Sequence, residues 1–176
     1  MARHRTQRYR YVPSMATDAT FNSLVGDLDY PMFIVTACAD GERSGCLIGF
    51  ATQASIDPPR FIVGLSHQNR TYRVANGAEL LAVHFVPEEA EDLAELFGGE
   101  TGDEVDKFER CAWRPGPGGT PLLDGCPNRF VGRVLNRMDG GDHDAFLLEP
   151  VLAERGTDSD EFKFHRAKRI DPGHEA

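Results

Sequence analysis

The chain has no run of apolar residues approaching the ~20 needed to cross a bilayer. No apolar stretch follows the arginines at its N-terminus, so a secretory signal is not expected there. Cysteine is scarce, and Cys38, Cys46, Cys111 and Cys126 include no pair at metal-ligand spacing. They read as reduced thiols in a cytoplasmic protein, each filling space as a small hydrophobe. Positive charge is scarce too: Lys plus Arg number 19 against 28 Asp plus Glu, a formal net charge of −9. Binding to nucleic acid over a broad face needs clustered cations, so this deficit argues against it. It argues equally against docking on anionic lipid. There is no nucleophile elbow, phosphate-loop lysine motif, Rossmann glycine pattern or zincin motif. The histidines, His4, His67, His84, His143, His165 and His174, show no metal-ligand spacing on an expected element, so no metal site is expected. His84 falls in a strand and reads as a core or groove residue.

What is present fits one domain, the usual expectation for 176 residues. Residues 1–17 are polar, carry Arg3, Arg5, Arg8 and Arg10 without an acid, and read as a flexible basic arm. Thr17 or Asp18 is placed to cap a short helix through Phe21, Leu24 and Val25. Met32 to Thr36 is a β-rich run, Asp40-Gly41 a hairpin signal, and Gly45 to Thr52 the return strand. Asp57-Pro58-Pro59 makes a sharp connection to a strand over 60–65. One or two helical turns follow from Asn69 to Ala75, then a strand over 80–85. Glu88 to Phe97 is the clearest helix, with Ala90, Leu93, Ala94 and Phe97 on one face and Gly98 ending it. Arg114 to Gly125 holds three prolines and four glycines and reads as a loop. Two strands over 130–138 and 145–151 flank the turn Asp139-Gly140-Gly141-Asp142, and Glu161 to Arg166 suggests a last strand. Six or seven short strands, mostly hairpin-connected, describe a small antiparallel barrel decorated by helices.

Two polar turns at strand ends hold the chemistry. Ser66-His67-Gln68-Asn69-Arg70-Thr71 follows an apolar strand and opens a helix. Backbone donors, hydroxyls and one guanidinium suit a phosphate, and the same residues suit an ordinary helix cap with a surface arginine. Gly141-Asp142-His143 is either a turn or, beside a cleft, an imidazole able to give a proton to a ligand. The strand from Gly45 to Thr52 is rich in small residues. It lets a flat ligand approach the backbone, or it is a bulged strand packed against another chain.

In their order, these segments resemble the flavin reductase family with the FMN-binding split-barrel fold. The resemblance covers about Phe21 to Val151. It is carried by Gly45, Thr52-Gln53-Ala54-Ser55-Ile56-Asp57-Pro58-Pro59, Ser66 to Thr71 and Asp106-Lys107-Phe108. Trp113 to Gly119, Pro121 to Gly125 and Gly141-Asp142-His143 complete it. The resemblance implies a mainly β protein, a six-stranded antiparallel Greek-key split barrel with peripheral helices, over 18–170 between the arm 1–17 and a polar tail 171–176. It implies a homodimer that oxidises NADH or NADPH and reduces FMN or FAD, many relatives handing reduced flavin to a separate monooxygenase. Gly45, Cys46, Leu47, Gly49, Phe50 and Ala51 would lie along the flavin. Ser66, Asn69, Arg70 and Thr71 would hold its phosphate, and His143 would face the nicotinamide as the catalytic side chain. Gly49-Phe50 stands where relatives often have Asn-Ser, Glu149 where a glycine is common, and Val131-Gly132 where a Glu-Cys pair is common. The alternative, favoured by Gly49-Phe50, is a non-catalytic flavin-binding sensor or carrier of the same fold.

Overall fold

The computed structural model describes residues 15–156 and 158–173; most of the basic arm lies outside them. Its first helix, α1 (Met15–Gly26), starts ahead of Thr17 and Asp18, so neither residue is its cap. Strand β1 (Phe33–Ala39) turns through Asp40 and Gly41, both at positive φ (52° and 80°), into β2 (Glu42–Ile48). A two-residue turn of this hand suits the right-handed twist of the strands, and it sets the register Ala39↔Glu42 through Phe33↔Ile48. The expected return strand is divided: it breaks at Gly49-Phe50 and resumes as β3 (Ala51–Ser55). Phe50 forms the corner, its carbonyl accepting from Gly64 N–H at 2.6 Å.

Beyond a cis Asp57–Pro58 bond, β4 (Arg60–Ser66) leads to α2 (Arg70–Gly77), and β5 (Leu80–Phe85) follows. Asn69 caps α2 as expected, its Oδ1 accepting from Thr71 N–H at 3.2 Å. Helix α3 is Glu91–Gly99, three residues later than the acidic run suggests. Glu88 N–H is instead donated to Asp160 O, which holds that segment against the C-terminal stretch. The proline- and glycine-rich stretch is an ordered hairpin, β6 (Trp113–Pro115) with β7 (Pro121–Leu123), closed through Gly118 and Gly119 at positive φ. Strands β8 (Arg129–Asp139) and β9 (His143–Glu154) make the longest pair. The expected last strand is reduced to two isolated bridges, Pro87↔Glu161 and Pro31↔Lys163, before α4 (Phe164–Ala167). Both bridge partners are prolines, which have no N–H to extend a ladder.

The sheet order is β2-β1-β5-β8-β9-β4-β3, with β6-β7 as a separate pair. This corrects the six-stranded barrel: among the described residues there are seven strands plus two, and the barrel is open. Its edges β2 and β3 are joined only through the Gly49-Phe50 link, so they adjoin there without hydrogen-bonding to each other. The interior is filled by Phe33, Val35, Val63, Leu65, Leu81, Val83, Phe146 and Leu148. A second core under α3 gathers Ile34, Phe97, Phe108, Leu123 and Phe162. His84 ties three strands together. Its Nδ1 lies 3.0 Å from Ile34 O and its Nε2 accepts from Leu123 N–H at 3.1 Å. Among the described residues no helix is long and apolar enough to cross a membrane.

Candidate functional site

Register builds the site. In the β4–β9 ladder Ser66 stands opposite His143 and Gly64 opposite Ala145, so these residues share the face away from Leu65 and Val63. His67 N–H donates to Asp142 O at 3.0 Å, which locks the two polar turns together. The Gly49-Phe50 corner lies over this face: a Cβ on Gly64 would stand 3.0 Å from the Cβ of Phe50. Gly64 is therefore required for that close approach. The result is a cleft of about 200 Å³, lined by Leu47, Gly49, Phe50, Ser66, Asn69 and His143 together with Tyr30, Met32 and Phe164.

Inside it, His143 Nδ1 is 2.8 Å from Asp142 Oδ1, and its ring lies 4.9 Å from that of Phe50. The imidazole beside Asp142 holds that carboxyl below its ordinary range. Ser66 Oγ accepts from Gln68 N–H, and Asn69 N–H donates to Ser66 O at 3.0 Å. A second pair lies on the opposite face of the strands. Asp144 meets His67 Nε2 at 2.9 Å and accepts from Tyr72 hydroxyl at 2.8 Å, and these two bonds lower its pKa. A planar, partly polar ring fits the cleft; an entire nucleotide does not, since whole-ligand pockets usually run to roughly 300–1,000 Å³.

The structure divides the expected flavin residues. Leu47, Gly49, Phe50, Ser66, Asn69 and His143 meet in the cleft. Ala51 opens β3 and packs against the interior core. Cys46 faces the barrel interior, Gly45 faces the second core under α3, and Thr71 is buried. A Cβ on Gly45 would strike the Phe97 ring at 2.7 Å, and the Thr71 hydroxyl bonds Ser44 Oγ at 2.9 Å. Burial pushes the Cys46 thiol up to about 11, so it is not a nucleophile at neutral pH. Arg70 is also turned away. Its guanidinium meets Glu42 Oε1 at 2.9 Å and donates to Gly102 O. There it borders a separate hollow of about 380 Å³ shared with Arg43, Lys107, Asp103 and Asp106. The Lys107 ammonium is buried and donates to Gly45 O and Phe97 O, and burial lowers its pKa.

The departures from the family pattern also find places. Glu149 pairs with Arg60 at 3.3 Å and Arg133 at 3.6 Å on the outer face. A Cβ on Gly132 would stand 2.8 Å from Leu148 Cβ, so packing accounts for that glycine. Tyr30, Met32 and Phe164 carry no local signal of a site, because only long-range pairing brings them to the cleft.

Comparison with known proteins bears on the family and the fold. FMN reductase (NADH) RutF of Stutzerimonas stutzeri is 28% identical over 127 residues, 72% of each chain. The flavin-dependent monooxygenase reductase subunit HsaB of Mycobacterium tuberculosis is 27% identical over 128 residues, 70% of this chain and 65% of that protein. The fold superposes on the NADH:FAD oxidoreductase SgcE6 of Streptomyces globisporus with a TM-score of 0.77 at 22% identity, covering 89% of this chain and 93% of the other. The family model for the flavin reductase like domain matches residues 25–170. The chain belongs to the family of proteins with a flavin reductase like domain.

Proposed function

We propose that this protein is an NAD(P)H:flavin oxidoreductase that uses the Gly49–His143 cleft. The observation that carries the reading is the meeting of Gly49, Phe50, Ser66, Asn69 and His143 in one cleft on this fold. These residues fit a flavin ring: Leu47 and Phe50 offer apolar surface, while the Ser66 hydroxyl and the Asn69 amide line the same cleft. Bound FMN or FAD would supply the hydride acceptor for NADH or NADPH. The chain's part is to position the ring and exclude water with Phe50. His143, oriented by Asp142, would be the side chain that exchanges a proton with the ligand. A cleft of about 200 Å³ would hold the ring and leave a ribityl phosphate outside it.

The reduced flavin is passed to a separate flavin-dependent monooxygenase, in keeping with the relative named as a reductase subunit. The protein works as a homodimer. Phe21, Leu24 and Leu28 of α1 and its following loop are exposed, as are Ile56 and Met138 of the body. A second copy would cover some of these side chains, as a contiguous apolar patch would need. Light scattering of the purified chain tests this, and a monomer at working concentration counts against it.

The deciding experiment is NADH and NADPH oxidation with and without added FMN or FAD. Oxidation that depends on flavin is expected. Its absence at saturating flavin, in a protein that binds flavin, supports the second reading of a non-catalytic carrier. Gly49 and Phe50 favour that reading because they put no polar side chain at the flavin edge.

A further inference from the structure

One wall of the cleft has no role in the reading above. Tyr30 precedes β1 and Phe164 opens α4, at opposite ends of the chain, yet their rings stack with centroids 4.7 Å apart and planes 12° from parallel. Backbone pairing holds them there. Phe164 N–H donates to Tyr30 O at 2.9 Å, Met32 N–H donates to Phe162 O at 2.8 Å, and Pro31 bridges Lys163 between these bonds. Both rings are half-buried and both border the cleft. Gly49 lies against Tyr30: a Cβ at Gly49 would come within 2.6 Å of Tyr30 Cε2 and 3.3 Å of Met32 Sδ. The tyrosine ring occupies the space a side chain at position 49 would need.

We propose that the Tyr30–Phe164 stack is an aromatic wall against which the flavin ring packs, and that Gly49 is the residue that seats it. The proposal rests on the flavin reading of the cleft. Its physical basis is preorganisation: two rings held by backbone bonds lose little freedom when a third planar system docks on them. The wall recognises the isoalloxazine and is indifferent to the phosphate. It therefore acts alike on FMN and on lumiflavin, which has the ring alone.

The test is a fluorescence titration of the full chain with FMN and with lumiflavin. Tyr30→Leu and Phe164→Leu are expected to weaken both ligands by the same factor, roughly tenfold. Gly49→Ala is expected to reproduce that loss by displacing the tyrosine. Tyr30→Phe keeps affinity, but the bound flavin becomes brighter. A phenol quenches the excited flavin by lending it an electron that then returns, and a phenyl ring does so poorly. Circular dichroism and the melting temperature report folding; if Tyr30→Leu does not fold, the brightness change in Tyr30→Phe decides. Unchanged binding in the Tyr30 and Phe164 variants, alongside weakened binding in Ser66→Ala and Phe50→Ala, makes the stack structural and leaves the flavin site standing. Unchanged binding in all four overturns both.

Discussion

The His143 imidazole lies 4.9 Å from the Phe50 ring, at 59° between planes, while its Nδ1 meets Asp142 at 2.8 Å. One side of the histidine is therefore packed and the other is set by a carboxylate. That constraint favours a fixed proton-bearing group over a mobile surface side chain. His143→Ala should slow hydride transfer to flavin by roughly a hundredfold, within the usual range for positioned proton donors. Flavin affinity should stay nearly constant. Stopped-flow reduction measured against flavin titration separates the two, and an unchanged rate removes His143 from the chemistry.

Arg70 is held by Glu42 and Gly102 outside the cleft, so its side chain should not distinguish phosphorylated flavin. Arg70→Ala is expected to alter FMN and riboflavin affinity by the same small factor. A loss confined to FMN, on the order of tenfold or more for a charge-assisted contact, would place the phosphate in the hollow of Arg43, Arg70 and Lys107.

Gly45 is a packing requirement. Its missing side chain leaves room for the buried Phe97 ring, which an added Cβ would meet at 2.7 Å. Gly45→Ala should destabilise the fold by roughly 1–3 kcal/mol, typical of overpacking. Urea unfolding measures this; wild-type stability would show that Phe97 can move aside.

Acid sensitivity should trace to His84. Burial lowers its pKa from 6.5 to about 4, because the charged imidazole loses solvation and Nε2 must stay free to accept from Leu123. Between those values the unfolded chain binds the proton and the folded chain does not. Stability is thus full above pH 6.5 and falls as pH drops toward 4, by on the order of 3 kcal/mol. Unfolding free energies between pH 7 and 4.5 should show the slope, and His84→Gln should flatten it. An equal slope in that variant assigns the effect to other groups.

Local chemistry was legible in the amino-acid sequence. Asp40-Gly41 specified its hairpin, Asn69 its cap, and the apolar runs at 32–36, 60–65 and 80–85 the cores of their strands. Ser66, Asn69, Phe50 and His143 were assembled from the family pattern, and the fold brings them into one cleft. The misplaced elements are those that depend on distant partners. The acidic run before α3 is diverted by Asp160, and the last strand ends against prolines at 31 and 87.

Which residues line the cleft was a tertiary decision. Strand side chains alternate, so β2 sends Cys46 into the barrel interior and Gly45 to the opposite face against Phe97, and no property of those residues alone foretells which face each takes. The same applies to Thr71, paired with Ser44, and to Arg70, paired with Glu42. Tyr30 and Phe164 meet only because the C-terminal stretch returns to the start of β1. The shortage of cations seen at the outset was a property of composition. Where the remaining ones point was set by long-range pairing, because a guanidinium or ammonium settles on the carboxylates and carbonyls the fold brings near it.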